Sequence, residues 1–356
     1  MNIFESVRFQ FLILLSLLTR LALAQVGGTS TYQFLSLQPN ARIASLGGYA
    51  IATRENDVNL ASQNPSLLSK DMDNQLAYNH VFYFDGIGAG HVAYAKHKDS
   101  VGTFMAGLQY ISYGTFRQTS ATGDVLGEFT AAEYCFQAGY AKSFNKLTVG
   151  GQLKFIYSTL ESYTSLGIAT DLSATYYDPE QLLTLSVVAS NLGTQIKTYR
   201  QGNNEQLPFN LQVGVSKKFA HAPFRFSLVA HNLQNPGGLL YNNLNKPGLR
   251  KDLETGQPIP ESFNAFDQVL SHLNLSGELL LGKSFYLGLG YNHLRRWEMK
   301  LEETGGMTGF AWGFGLRLSK FQLAYGRTGY HVGHSTNHIS FIVFMNEYLK
   351  KKKTSS

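Results

Sequence analysis

The sequence predicts an all-β protein: a transmembrane antiparallel β-barrel of about 14 strands, preceded by an N-terminal hatch-like segment containing a short helix. Three observations carry this. Apolar residues recur with period two over much of the chain after residue 75. The alternating runs are about 10–13 residues long, against a soluble mode of about 5–6 and the roughly 9–11 that a tilted membrane strand needs. The connections between runs sort by parity into short and long.

Period two means that one face of a strand differs from the other. Phe310, Trp312, Phe314, Leu316 and Leu318 share one face; Gly309, Ala311, Gly313, Gly315 and Arg317 share the other. Phe285, Leu287, Leu289 and Tyr291 alternate with Tyr286, Gly288, Gly290 and Asn292, and Leu147, Val149, Leu153, Phe155 and Tyr157 with Thr148, Gly150, Gln152 and Lys154. Candidate strands fall near 76–84, 88–97, 101–112, 128–142, 146–157, 164–177, 182–192, 208–219, 223–232, 271–281, 284–294, 307–318, 320–330 and 337–345. After even strands the connections are tiny, as at Lys98-Asp99-Ser100, Ser143-Phe144-Asn145 and Gly282-Lys283. After odd strands they are mostly longer: 113–127, 193–207, 233–270 and 295–306. Short periplasmic turns and long extracellular loops are what an outer-membrane barrel shows. A soluble sandwich alternates too, but has no reason to segregate loop length by parity. Tyr110, Tyr113, Tyr157, Tyr163, Tyr176, Tyr177 and Tyr330 sit near strand ends, where a bilayer interface favours them.

Composition agrees. Charged residues make up 15% of the 356 residues, below the usual ~25%, and there are 35 glycines. The single cysteine, Cys135, excludes a disulfide scaffold and a Cys-rich zinc site. The net charge of +6 resides mostly outside the body: residues 1–24 contribute +1 and Lys350, Lys351, Lys352 and Lys353 contribute +4. The body therefore lacks the basic stripe of a nucleic-acid binder, and no nucleic-acid partner is expected.

Residues 1–24 read as a secretory signal, with Arg8 before an apolar run and Ala22-Leu23-Ala24 before Gln25, which places cleavage between Ala24 and Gln25. The expected division is a signal at 1–24, a hatch-like segment at 25–75, a barrel at 76–345 and a basic tail at 346–356. Asp57 to Leu68 reads as the short helix, interrupted by Pro65.

The motifs that suggest chemistry are weak. His331-x2-His334-x3-His338 has metal-ligand spacing but lies at a hairpin without a neighbouring carboxylate. Ser143-x-x-Lys146 lacks the companion motifs of an acyl-enzyme. Gly86, Gly88 and Gly90, and Gly288 with Gly290, lack the strand–turn–helix context of a nucleotide site and read as a small-residue lumen face. Glu161, Asp171 and Asp178 are too far apart on the strand map to pair. Arg295-Arg296-Trp297 reads as an interfacial girdle or a contact to lipopolysaccharide phosphate. No catalytic residue, cofactor or metal is expected. The connection 233–270 mixes aromatic, charged and proline residues, and Tyr241, Arg250, Lys251, Phe263 and Phe266 are its candidate partner-binding residues.

Ala41-Arg42-Ile43-Ala44-Ser45-Leu46-Gly47-Gly48, followed by Asn64-Pro65-Ser66-Leu67-Leu68, resembles the N-terminal signature of the PorV/PorQ-type outer-membrane barrels of the Bacteroidetes type IX secretion system. Gly102–Tyr113, Leu153–Gly167 and His221–Leu233 resemble its PorQ branch. These barrels are related in fold to FadL-type fatty-acid channels. The resemblance implies a non-enzymatic, integral outer-membrane component of the attachment complex. Its implied partners are a PorZ-like surface protein, a sortase-like PorU and a PorV-like barrel, with outer-membrane lipid and lipopolysaccharide around it. The alternative is a FadL-like transporter of hydrophobic compounds, with the hatch-like segment as its gate. An outer-membrane enzyme would need a Ser/His/acid constellation, and none is evident. Many such barrels end on an aromatic residue; here Phe344-Met345 is followed by eleven further residues, 346–356.

Overall fold

The computed structural model describes residues 30–83, 86–236, 239–240, 251–252, 254–257, 264–299, 306–331 and 334–349. The strands are β1 (Gln75–Phe82), β2 (Gly88–Lys98), β3 (Gly102–Thr119), β4 (Val125–Phe144), β5 (Leu147–Leu160), β6 (Tyr163–Asp178) and β7 (Leu183–Lys197). They continue as β8 (Asn210–Lys218), β9 (Phe224–Ala230), β10 (Leu273–Leu281), β11 (Phe285–Asn292), β12 (Phe310–Arg317), β13 (Phe321–His331) and β14 (His334–Phe344). Each pairs antiparallel with its sequence neighbours, and β1 pairs with β14 from Gln75↔Phe344 to Phe82↔Asn337, closing the barrel. In hydrocarbon every backbone N–H and C=O must find a partner within the protein, and closure leaves no edge without one.

The alternation decides which way each strand faces. On β12, Phe310, Trp312, Phe314 and Leu316 are exposed while Ala311, Gly313 and Gly315 are buried. Leu147, Val149, Leu153, Phe155 and Tyr157 likewise point away from the lumen. This outward apolar surface matches lipid and identifies an outer-membrane barrel. The turns after even strands are short, so residues 98–102 and 281–285 mark the periplasmic end and the long connections the extracellular end.

Two expectations need correction. The connection expected at 113–127 is mostly sheet: β3 and β4 run on past a bulge between Ser112 and Thr115, pair Phe116 with Phe129, and turn only at 120–124. Its polar sequence suits a two-stranded ribbon wetted on both faces, which period and hydropathy cannot separate from a loop. The short helix expected over 57–68 is two 3-10 turns, Val58–Ser62 and Pro65–Leu67, because Pro65 cannot donate to the turn before it. The α-turn of the segment is α1 (Ala41–Ser45), capped by Asn40, whose side chain accepts from the Ile43 N–H.

The wall is uneven. Strands β3 to β7 are 14 to 20 residues long, whereas β8 to β12 are 7 to 9. Above the short strands lie α2 (Ala265–Ser271) and α3 (His293–Met299); α4 (Met345–Leu349) follows β14 at the periplasmic end.

Phe314 sits midway along β12 on the lipid face. Phe314→Arg is expected to destabilise the barrel by about 2–4 kcal/mol, read by denaturant unfolding in lipid vesicles. An unchanged unfolding midpoint would place this face away from lipid.

Candidate functional site

Residues 30–74 thread the lumen. Ser30 bridges Gln206 in the extracellular connection between β7 and β8, and Asn74 meets β1 at the periplasmic end. Wall glycines make room for this chain. A Cβ on Gly290 would lie 2.2 Å from the Gly47 nitrogen, one on Gly326 2.3 Å from the Ala41 oxygen, and one on Gly150 2.4 Å from the Ser66 nitrogen. At these points backbone meets backbone, so the small-residue face is a berth for the hatch. Polar side chains satisfy its carbonyls and amides: Asn274 Nδ2 donates to the Leu46 carbonyl at 2.8 Å, and Ser340 Oγ accepts from the Ala41 N–H at 2.9 Å.

Toward the periplasmic end lies a largely buried charge cluster. Arg42 of α1 donates from Nε and Nη2 to Glu278 Oε1 at 3.0 and 2.8 Å. Arg225 of β9 donates from Nε to Glu278 Oε2 at 2.6 Å and from Nη1 to Glu55 Oε1 at 2.8 Å. Arg42 also stacks on the Tyr286 ring, 4.1 Å from its centroid. Burial works against the charge on Arg42, yet Glu278 and Glu55 raise its pKa above the ordinary value. Burial likewise opposes ionisation of Glu55, but Arg225 and then Arg42 hold its carboxyl below the ordinary range. Asp57 goes the other way: burial raises it, and Arg42 and the Asn59 N–H offset only part of that.

The charges come from both bodies. The hatch supplies Arg42, Glu55 and Asp57; the wall supplies Arg225 and Glu278, which face each other across β9 and β10. A second wall pair, Lys154 and Asp171 at 2.6 Å, is also neutral by itself, with Asn191 Oδ1 accepting from Lys154 at 2.8 Å. Removing one partner of a buried pair leaves an uncompensated charge at a cost of about 3–5 kcal/mol. Moving this hatch as a unit leaves the wall pair intact.

The extracellular half is different in kind. Tyr32, Phe34 and Leu35 of the hatch pack against Val81, Ala89, Ile111, Cys135, Ile156 and Ala169 of the wall and Leu207 of the β7–β8 connection. Tyr83, Tyr113 and Tyr199 rim this chamber, where Tyr113 donates to Glu133 Oε2 at 2.6 Å and Tyr199 to Ser158 at 2.5 Å. Burying side chains of this size contributes about 1.5–3 kcal/mol each. Tyr32 also holds φ 55°, in the left-handed region, which costs on the order of 1–3 kcal/mol for a side chain of this bulk.

Two polar clefts open at the periplasmic mouth. One of about 550 Å³ is bounded by Lys70, Asp71, Asp73, Asp99 and Arg317. The other, of about 270 Å³, is bounded by Arg54, Glu55, Tyr177, Lys218 and Arg225.

The described candidate partner-binding residues lie outside the charge cluster and the chamber. Lys251 is exposed, and Phe266 is 69% exposed on α2, at the extracellular face. Tyr241, Arg250 and Phe263 lie outside the described residues, as do Ala24 and Gln25 of the cleavage site. His338 faces the lumen and bonds Thr336 through Nε2 at 2.9 Å; among the described residues no group of three His, Cys, Asp or Glu is placed to hold a metal. Lys146 pairs with Asp178 at a periplasmic turn, Glu161 sits at an extracellular one, and Asp171 lies in the wall between them. Arg295 lies over Tyr330, 4.4 Å from its ring centroid. Sequence reading missed Arg42, Glu55, Arg225 and Glu278, which lie far apart in the chain; inward-facing charges on strands were the available signal.

The lowered Glu55 value has a consequence for closure. With its closed-state value below the ordinary 4.5, Glu55 favours the closed hatch above that pH and ceases to do so as pH falls through the lowered value. Asp57, raised, acts in the opposite sense. Single-barrel conductance in planar bilayers is expected to rise as acid neutralises Glu55, below the ordinary glutamate range, and Glu55→Gln to remove that acid step. An acid step unchanged in Glu55→Gln would assign closure to other groups.

No family model matches this chain, and neither does any curated protein, so no sequence match places it in the family its short motifs resemble. Solved structures do match. The CymD monoaromatic hydrocarbon channel shares 13% identity over 88% of this chain and 98% of its own, with a TM-score of 0.48. The P. putida toluene transporter TodX shares 11% over 85% and 96%, at 0.45. A Pseudomonas aeruginosa FadL homologue shares 10% over 85% and 98%, at 0.47. At such identities and scores, the barrel here stands on its own strand order and register.

Proposed function

We propose that this chain is a hatch-closed outer-membrane passage for hydrophobic compounds. The observation that carries the reading is the extracellular chamber: an apolar wall with a tyrosine rim, filled by the protein's own Tyr32, Phe34 and Leu35. Withdrawal of that segment leaves apolar surface facing the outside, which a hydrophobic solute covers as well as the hatch does. The charge cluster below bears on the same step: withdrawal breaks the Arg42–Glu278 and Glu55–Arg225 pairs and leaves Arg225 and Glu278 paired in the wall. On this reading the chain acts as a passage.

A disulfide tests it. The position of a Cβ on Gly288 lies 3.5 Å from Ser45 Cβ, within the range of about 3.5–4.5 Å that disulfides use. Ser45→Cys with Gly288→Cys should therefore tie α1 to β11, and Cys135 is buried away from the exchange. Oxidised cells are expected to lose uptake of labelled toluene, and a reductant to restore it. Uptake at the unlocked rate in a barrel shown to be cross-linked would refute a hatch-gated passage.

A second reading, anchoring of surface proteins as in a type IX attachment complex, is favoured by the β3–β4 ribbon. Phe116 stacks on Phe129 at 5.2 Å, and Val125 and Leu126 are 62% and 65% exposed. Exposed apolar side chains of this kind mark protein contacts. On this reading, replacing 115–130 with a short turn abolishes co-purification of a PorZ-like or PorU-like partner while toluene uptake continues; retention of the partner at full yield excludes the ribbon as its dock.

A further inference from the structure

Tyr32 is held as a ligand would be. Its backbone adopts φ 55° and ψ 39°, a conformation that bulky residues avoid. Its ring lies over Gly167 of β6, so close that a Cβ there would come within 2.7 Å of Tyr32 Cε2. Gly167 thus forms the floor of a flat slot, with the Tyr199 ring 6.4 Å from that of Tyr32 on another side.

The far end of the slot has a defined polarity. Ser165 is fully buried, and its hydroxyl proton is spent on the Lys197 carbonyl at 2.6 Å. Gln195 Oε1 accepts the Glu205 N–H at 2.8 Å, which turns its amide nitrogen toward Ser165 Oγ at 3.1 Å. A hydroxyl has one proton and two lone pairs. With its proton committed, Ser165 Oγ presents a lone pair to the slot, and the Tyr32 hydroxyl at 2.5 Å is the donor that fills it. The slot therefore accepts a flat ring that brings an O–H. A hydrocarbon ring leaves the serine lone pair without its donor. A carboxylate brings no proton and enters a chamber whose own acid is Glu133, while Lys154, on the same strand face as Ile156, is already held by Asp171 and Asn191.

We propose that the slot bounded by Gly167, Ser165, Gln195 and Tyr199 is a binding subsite for neutral phenols, occupied in the closed barrel by the side chain of Tyr32. This rests on the chamber being the ligand chamber of the passage and names the class of solute it selects. Tyr32 then competes with the solute for one position, so that binding and withdrawal of the hatch tip are a single exchange.

The test uses the full chain in lipid nanodiscs with three fluorinated probes followed by fluorine NMR: 4-fluorophenol, fluorobenzene and 4-fluorobenzoate. Tyr32→Gly empties the slot and suits the backbone at that position, because glycine tolerates positive φ. It is expected to bind 4-fluorophenol saturably, fluorobenzene about tenfold more weakly for want of one hydrogen bond, and 4-fluorobenzoate without saturation. Adding Ser165→Ala should bring 4-fluorophenol down to the level of fluorobenzene, and adding Gly167→Val should abolish binding of both. The unaltered protein should bind 4-fluorophenol more weakly than Tyr32→Gly, which keeps the question open to an answer if that variant does not fold. Absence of saturable 4-fluorophenol binding in both proteins overturns the subsite, and equal affinity for 4-fluorophenol and fluorobenzene overturns the phenol assignment. Loss of toluene uptake as a function, with phenol binding intact, removes the passage and leaves the slot. Uptake without phenol binding does the reverse.

Discussion

Sheet closure is the constraint from which the rest follows. A barrel in lipid satisfies its backbone only by pairing the last strand with the first, as β14 does with β1. Once closed around so many strands, the wall encloses more space than its own inward side chains fill. Residues 30–74 occupy that space, and the wall is cut to receive them. Glycines at 150, 290 and 326 bring the two backbones together, so the hatch berths at fixed points along the lumen. A berth made of glycine contributes little adhesion by itself. Holding the hatch falls to the polar contacts and to the charges.

Glu278 joins three segments through one carboxylate. Arg42 uses one oxygen and Arg225 the other, and Arg225 reaches on to Glu55. Such a cluster is a weak source of net stability, because desolvation offsets most of the attraction. Its value lies in register: a hatch shifted along the lumen would bury Arg42 without a partner. Apolar packing in the upper chamber adds to closure, and on the proposed reading only there does an incoming solute replace what the hatch gives up.

The wall and its facing were legible in the sequence because both are period-two properties of short segments, as Phe310–Leu318 shows. Loop parity set the orientation for the same local reason. The site was not legible. Arg42 and Glu278, or Tyr32 and Ser165, are separated by 236 and 133 positions, and no local pattern joins them. The extension of β3 and β4 was missed because water on both faces of a ribbon erases the apolar alternation. The helix expected at 57–68 was overridden by Pro65 and by packing against β4 to β6. The residues favoured in 233–270 were chosen for composition, which describes a lid and a dock equally well.

The unevenness of the wall connects these features. Where the strands are tall, β4, β5 and β6 carry Glu133, Ser158, Ser165 and Gly167 above the hatch tip; where they are short, β8 to β12 carry Arg225, Glu278 and the glycines that seat α1. The hatch crosses from one side to the other. Its tip therefore leans on the tall, apolar side, and its anchor on the short side that holds charge. Tyr32 and Arg42 share no described contact, so tip and anchor are held by separate parts of the wall. On the proposed reading, opening from the tip keeps the lower contacts in place until the upper chamber is filled.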